Sequence, residues 1–248
     1  MADELELNQD WRGPLIRRLL LLVGACLQGV SGLGFAMFAA PLAAMWFPEL
    51  VPGPLLVLSC PLALMGGLRD RADIQWNLAS VAVAGRLGGT VLAAACLVLL
   101  PVKTLSLMFA LLILTGVSLS LTGWRVMPSR RNMAVAGVAS GMMGTITSAG
   151  APPFAIAMQH LPANRLRGTL GAVFFIGAAL SLVALAMVGR MGAPELWLSA
   201  LLMPWMVAGF VLSGRIKFLM RQQSLRPMLL GLAAFGALGI LVQTLTRH

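Results

Sequence analysis

The sequence predicts an all-α polytopic membrane protein with about eight transmembrane segments, arranged as two four-segment repeats with broken first helices. Three observations lead to this prediction. The chain is 59% hydrophobic and 10% charged, whereas a soluble domain carries roughly 25% charged residues. Its apolar residues gather in runs that suit a bilayer, which requires about 20 residues per crossing. Two of these runs carry the same glycine and proline pattern half a chain apart.

Eight apolar segments are predicted in order along the chain, and charged residues, proline or tryptophan mark the breaks between them. They cover residues 15–45, 53–68, 77–100, 104–123, 133–158, 168–190, 195–213 and 227–246. We therefore expect a single membrane domain over residues 1–248. Its parts are a polar N-terminal tail at 1–12, repeat 1 at about 15–123 and repeat 2 at about 133–246.

The first segment of each predicted repeat is interrupted in the same way. Residues 23–45 read VGACLQGVSGLGFAMFAAPLAAM, and residues 135–157 read VAGVASGMMGTITSAGAPPFAIA. Position 23 aligns with position 135 without a gap, so that Pro41 falls on Pro153. Glycine loosens a helix and proline removes a backbone donor. Matched interruptions in two halves indicate the binding site of a transporter, because irregular backbone at membrane depth must be buried in protein or line a cavity.

Broken helices also suggest which ligand such a site binds. Their free backbone N–H groups and positive dipole ends attract anions, and hydroxyl side chains add donors. The substrate-binding residues predicted in the two interruptions are Gln28, Ser31, Gly32, Gly34, Thr145, Thr147, Ser148, Gly150 and Pro153. The alternative interpretation is close helix packing through small residues four apart, as in Gly85-x-x-x-Gly89.

Arg86 completes the predicted substrate site. It lies about ten residues inside the third segment, in VAVAGRLGGTV. An ionisable residue at that depth is costly and marks a functional site by default. Its planar guanidinium suits an oxyanion. The alternative, in which the long side chain reaches back to the interface, stays open.

Basic residues elsewhere give a second site and a topology that conflicts with simple crossings. Arg165, Arg167 and Thr169, in PANRLRGT, are predicted to form a basic vestibule, with membrane anchoring as the alternative. Arg17 predicts a cytoplasmic N-terminus, and Arg69 lies on the same side if segments 1 to 4 each cross once. Eight crossings would place Arg165 outside, whereas a re-entrant fifth segment returns it to the cytoplasm. Repeat symmetry suggests the same re-entrant path for the first segment, whereas its charges favour a crossing, and both alternatives stay open.

The remaining titratable residues argue against an enzyme and against a cationic substrate. All eight carboxylates lie at the N-terminus or at segment boundaries, so none serves a cation at mid-membrane depth. The three cysteines and two histidines form no cluster, and no P-loop is present. We therefore predict no cofactor, no metal site and no catalytic residue. The net charge of +10 is explained by segment ends, so the predicted partners are a small anion and the lipid bilayer, not nucleic acid, with a homo-oligomer left open.

The repeated blocks GVSGLGFAMFAAPLAAM and SGMMGTITSAGAPPFAIAM resemble the sulfite exporter TauE/SafE family of membrane permeases. RLGGTVLAAACLVLLP resembles that family's glycine-containing third segment, so the resemblance spans residues 15–246. The first half departs from the family pattern because residues 35–40 replace the consecutive glycines before the proline. The resemblance implies movement of sulfite, sulfonates or related organosulfur anions across a bacterial inner membrane, with the direction left open. The two halves with broken segments favour alternating access, in which one half rocks against the other. The alternatives are a non-transporting membrane sensor or assembly partner and a membrane-embedded enzyme.

Overall fold

The computed structural model describes residues 2–121 and 127–216, together with 231, 234–235, 238–239 and 241–242. These residues contain helices and no strand. The nine α-helices of this described part are α1 (Ala2–Ser31), α2 (Gly34–Trp46), α3 (Gly53–Arg69), α4 (Trp76–Leu99), α5 (Val102–Leu121), α6 (Arg130–Thr147), α7 (Pro152–Ala157), α8 (Ala163–Met187) and α9 (Ala193–Ile216).

Four of the described helices are long and apolar enough to cross a membrane: Gly13–Ser31 of α1, α4, α8 and α9. Helices α2 and α3 are apolar but shorter. The predicted all-α class is confirmed for the described residues. The predicted count of eight spans and the division into domains stay predictions, and most of the eighth segment, 227–246, lies outside the described residues.

The first predicted segment folds as a helical hairpin, α1–α2, which we call the first hairpin. Helix α1 ends at Ser31, and Gly32 takes a φ of +78°, which glycine adopts far more readily than other residues. Helix α2 then runs back along α1. Near the turn, the backbone of Gly34 lies against Leu27. At the other end of the hairpin, the Arg17 guanidinium lies 4.9 Å from the ring centroid of Phe47.

The fifth predicted segment forms a second hairpin, α6–α7. Helix α6 ends at Thr147, Ser148 takes a φ of +60°, and the chain turns back so that Gly150 packs against Ser140. The sequence alignment pairs Gly32 with Gly144. The structure instead ends α6 one turn later, so Ser148 holds the left-handed position that Gly32 holds in the first hairpin.

The two hairpins enter the bundle from opposite ends. We call these the Arg17 end, where Arg17 pairs with Glu49 at 3.0 Å, and the Arg69 end, where α3 finishes. Helix α9 runs parallel to α1, since Gly209 packs on Leu22 and Gly29 on Ser213. Helix α8 runs antiparallel to α3, and α6 runs parallel to α4. The tip of the first hairpin therefore lies at the Arg69 end and the tip of the second at the Arg17 end.

This arrangement decides between the two alternatives for the first segment. A single crossing, which the charges favoured, would place Arg17 and Arg69 on one side of the membrane. They lie at opposite ends of the bundle because α2 returns to the Arg17 end before α3 begins. The hairpin of the fifth segment places Arg165 and Arg167 at the Arg69 end, since Arg167 pairs with Asp70. The conflict that simple crossings create for these two arginines thus disappears.

Close packing of α4 on α6 depends on glycines. A Cβ on Gly85 or Gly89 would collide with the backbone of α6, and one on Gly137 or Gly141 would collide with the backbone of α4. Contacts of this kind are common where small residues let two membrane helices approach. The packing interpretation therefore holds for Gly85, Gly89 and Gly141, while Gly32 serves a turn.

The two hairpins predict which positions share a side of the membrane. In a variant whose three cysteines are replaced by alanine, Gly13→Cys and Pro48→Cys should react with an impermeant thiol reagent from one side. Arg130→Cys and Arg165→Cys should both react from the other side. Labelling of positions 13 and 48 from opposite sides would contradict the first hairpin, and labelling of 130 and 165 from opposite sides would contradict the second.

Candidate functional site

A small buried cavity lies between the two hairpins and the middle of α3, α4 and α8. About 40 Å³ of it is open to the centre of a water molecule, so it holds a ligand of only a few heavy atoms. Its walls are mostly apolar and its polar groups come from several helices. The lining residues include Gln28, Phe35 and Ala36 from the first hairpin, Ser148, Gly150 and Ala151 from the second, Ser59 and Leu62 from α3, Arg86 from α4, and Phe174 and Ala178 from α8.

Arg86 provides the positive charge of this cavity. It is 2% exposed, so the side chain does not reach a surface. Its Nη1 donates a hydrogen bond to Ser140 Oγ at 3.0 Å, and its Cζ lies 5.4 Å from the ring centroid of Phe174. Its Nε is buried without a hydrogen-bond partner. The alternative in which Arg86 reaches back to the interface is therefore wrong, because the guanidinium faces the interior of the bundle.

Arg86 has no carboxylate partner among the described residues. The ion pairs found there are Arg17–Glu49 and Arg167–Asp70, which lie at the two ends of the bundle. An isolated buried charge is among the most unfavourable features a protein carries, because desolvation costs several kcal/mol and no opposite charge offsets it. The cavity therefore lies beside a buried positive charge that no described carboxylate neutralises.

Gly177 makes room for the guanidinium. A Cβ on Gly177 of α8 would overlap Arg86 Nε. Gly144 on α6 lies on another side of the same group, where a Cβ would be 3.1 Å from Arg86 Nη2. The guanidinium therefore lies in space that two glycines, one on α6 and one on α8, leave free of side chains.

The first hairpin uses its polar side chains to close its own turn. Gln28 Nε2 donates to the Gly32 carbonyl at 2.9 Å, and Gln28 Oε1 accepts from the Phe35 N–H at 3.0 Å. Ser31 Oγ donates to the Leu27 carbonyl and accepts from the Leu33 N–H at 3.2 Å. The expectation that these backbone N–H groups are free for an anion is wrong at Leu33 and Phe35, because neighbouring side chains bind them first.

The second hairpin repeats this arrangement. Thr147 Oγ1 donates to the Met143 carbonyl at 2.7 Å and accepts from the Ala149 N–H at 3.0 Å, so this N–H is not free either. Helix α7 begins with two prolines, Pro152 and Pro153, which have no N–H to offer. At these positions the backbone N–H groups that were expected to bind an anion are therefore already hydrogen-bonded or absent. The positive charge of Arg86 remains as the strongest attraction for an anion.

The remaining hydroxyls of the second hairpin join it to other helices. Ser148 Oγ donates to the Pro52 carbonyl at 2.9 Å, next to the start of α3. Thr145 Oγ1 hydrogen-bonds Thr90 at 3.3 Å and Ser181 at 2.8 Å. The hydroxyls of Thr90, Thr145 and Ser181 are buried and lie on α4, α6 and α8, respectively.

Four of the ten predicted substrate-binding residues line the cavity: Gln28, Arg86, Ser148 and Gly150. The other six do not line it. The two turns are formed or flanked by Ser31, Gly32, Gly34 and Thr147. Thr145 joins α6 to neighbouring helices, and Pro153 lies in the first turn of α7.

The predicted vestibule residues lie at the Arg69 end, and two of them join helix ends. Arg167 Nε donates to Asp70 Oδ2 at 2.8 Å. Thr169 is buried and its Oγ1 accepts from the Gln75 N–H at 2.9 Å. Arg165 is exposed. Of the three predicted vestibule residues, only Arg165 makes no described contact that joins helix ends here.

Sequence reasoning missed three residues that hold Arg86: Ser140, Phe174 and Gly177. Ser140 belongs to the second repeated block, where its hydroxyl gave the only available signal. Phe174 and Gly177 lie in an apolar run with nothing to distinguish them, because their importance comes from the packing of α8 against α4.

The apolar helices and the buried arginine define a helical membrane protein with a small internal cavity beside a buried cation. A family model described as Sulfite exporter TauE/SafE matches residues 19–240. The chain belongs to this family of membrane transporters, which confirms the resemblance. Neither the curated proteins nor the solved structures contain a match to this chain.

Replacement of Gly177 by alanine tests the close approach of α8 to Arg86. The added methyl group would displace the guanidinium, and overpacking of this kind costs about 1–3 kcal/mol. Thermal unfolding in detergent should therefore show a lower midpoint for Gly177→Ala. Gly88→Ala on α4 is the matched control, since a Cβ there meets nothing within 4 Å. Equal midpoints for Gly177→Ala and the wild type would contradict the packing described.

Proposed function

We propose that this protein is a secondary transporter for a small oxyanion, with sulfite or a short organosulfur anion as its substrate. The observation that carries the proposal is the guanidinium of Arg86, which is buried beside a cavity and has no carboxylate partner among the described residues. Family membership supports the sulfur oxyanion, because the family model is that of a sulfite exporter. A planar guanidinium binds oxyanions through paired N–H groups.

Size and charge narrow the substrate. The cavity beside Arg86 is small, and its walls include Phe35, Leu62 and Phe174. A single cation in mostly apolar surroundings neutralises one negative charge, and a second would stay uncompensated. We therefore infer that a monoanion of a few heavy atoms binds, which for sulfite is its protonated form, hydrogen sulfite. We expect larger sulfonates to be poor substrates.

We propose alternating access between inverted repeats. The antiparallel directions of α1 and α6 support this, because the two hairpins enter from opposite ends and approach one cavity. The helix pairs support it as well: α9 packs along α1 as α4 packs along α6. Inverted repeats around a central site are a common architecture of secondary transporters.

The contacts at the two ends support one access state. At the Arg69 end, Arg69 donates to the Gly29 carbonyl and lies 4.5 Å from the Phe210 ring centroid, while Arg167 pairs with Asp70. At the Arg17 end, a wide cavity of about 630 Å³ lies between the loop before α3, the ends of α4 and α8 and the start of α9. It includes Pro52, Ile146, Leu185, Arg190 and Glu195. We infer that the Arg69 end is closed and that substrate approaches from the wide cavity at the Arg17 end, which shares no lining residue with the cavity beside Arg86.

We further propose that the protein is a multi-pass protein of a bacterial inner membrane with its Arg69 end in the cytoplasm. Positive residues concentrate on the cytoplasmic side of membrane proteins. Seven arginines lie at or next to the Arg69 end: Arg69, Arg71, Arg130, Arg131, Arg165, Arg167 and Arg215. On this orientation the wide cavity faces the outside, and movement of a monoanion is driven by its own gradient and the membrane potential.

Replacement of Arg86 by glutamine tests the proposal directly. Uptake of sulfite into proteoliposomes should fall by about 10- to 150-fold at low sulfite concentration, because hydrogen bonds to a charged group contribute about 1.5–3 kcal/mol. Arg86→Lys should retain part of the transport, since it keeps the charge and loses the planar fork.

Arg130→Gln is the control for this experiment, because it removes an exposed arginine that lines neither of the two cavities. Its sulfite transport should stay close to that of the wild type. Unchanged sulfite uptake by correctly folded Arg86→Gln would contradict the site. Failure of the wild type to move any of sulfite, sulfoacetate, taurine or chloride would contradict the function.

Replacement of Asp70 by asparagine tests the closure of the Arg69 end. Loss of the pair with Arg167 should favour opening there, so a thiol in Ala36→Cys should react faster with an impermeant reagent added from the Arg69 side. Asp73→Asn, in the same loop but without a described ion pair, is the control. An unchanged reaction rate in Asp70→Asn would show that the ion pair does not close this end.

A further inference from the structure

We propose that Ser140 is the positioning residue that holds Arg86 in its anion-binding orientation and ties it to the turn of the second hairpin. This inference rests on the proposed function, because it concerns how the same cavity binds its anion. Ser140 is fully buried on α6, and its hydroxyl lies between Arg86 and Gly150.

The direction of both hydrogen bonds follows from chemistry. A guanidinium has donors and no acceptor, so Ser140 Oγ must accept from Arg86 Nη1 at 3.0 Å. The hydroxyl then has its single proton left for the Gly150 carbonyl, 2.5 Å away. Both bonds are satisfied at once only in this arrangement, which makes Ser140 a directional link and not an interchangeable small residue.

Gly150 shows how closely the turn fits this link. A Cβ on Gly150 would lie 2.7 Å from the Ser140 carbonyl oxygen and 2.9 Å from its Oγ. The turn between α6 and α7 therefore approaches Ser140 where no side chain fits. Since Gly150 and Arg86 both line the cavity, a movement of the turn is transmitted to the guanidinium through one hydroxyl.

Ser140 is also the only described hydrogen-bond partner of the guanidinium. Arg86 Nε has none. The Phe174 ring attracts the cation but does not decide which N–H groups point into the cavity. Without Ser140, the guanidinium would keep its charge and burial and lose its fixed orientation, so substrate affinity should fall while the fold remains.

The experiment measures KM and Vmax for sulfite in proteoliposomes containing the wild type, Ser140→Ala or Ser140→Cys. Loss of a hydrogen bond to a charged group should raise KM about tenfold or more, with a smaller change in Vmax. Cysteine keeps the volume but is a weak acceptor, so Ser140→Cys should resemble Ser140→Ala. Ser199→Ala is the control, because this buried serine bonds only within α9 among the described contacts, to the Glu195 carbonyl at 2.6 Å.

A second measurement separates an effect through Arg86 from a general disturbance of packing. In an Arg86→Lys background, Ser140→Ala should change KM by less than about twofold, because residues that act through one another are not additive. The same tenfold increase in both backgrounds would overturn the proposal. So would a wild-type KM in Ser140→Ala, with the proposed function left intact. If the wild type itself neither transports sulfite nor shows a sulfite-dependent rise in its unfolding temperature, the proposed function fails as well.

Discussion

The buried charge of Arg86 is the constraint on which the rest of the site depends. Placing a guanidinium among apolar helices costs several kcal/mol unless an opposite charge accompanies it, and the described residues supply none near it. The surroundings accommodate this cation through one hydroxyl, one aromatic ring and a helix position without a side chain, from Ser140, Phe174 and Gly177. An anion in the adjoining cavity would supply the missing charge.

The fold explains how that cation comes to lie between two hairpins. Glycines on α4 and α6 let these helices touch through their backbones, which brings Arg86 against the second hairpin. The first hairpin reaches the same cavity from the opposite direction through Gln28 and Phe35. Each turn is closed by its own side chains, with Ser31 in one and Thr147 in the other. The turns are therefore self-contained units, and their movement relative to α3, α4 and α8 would change access to the cavity.

Composition and periodicity were sufficient for the helical membrane class and for the places where the first and fifth segments break, because apolar length and glycine–proline patterns are local properties. The direction of the chain after the first break stayed open, because repeat symmetry and the charges disagreed there, and the contacts of Arg17 with Phe47 and Glu49 reveal the return of α2. For the fifth segment, the arginines that follow it already indicated a re-entrant path. Free N–H donors were expected at the breaks, but the side chains of Ser31 and Thr147 accept hydrogen bonds from the nearby backbone N–H groups, which are then not available to a ligand. Gly177 carried no signal, because its role arises from a neighbouring helix.

The most direct test of an anion site at Arg86 is a structure of the protein with selenite, the selenium analogue of sulfite, located by the anomalous scattering of selenium. We expect one selenium peak in the cavity, with selenite oxygens within hydrogen-bond distance of the Arg86 guanidinium and the Ser140–Arg86 contact retained. A cavity without selenium, in a protein that transports selenite and binds it at the exposed Arg165 instead, would contradict an anion site at Arg86.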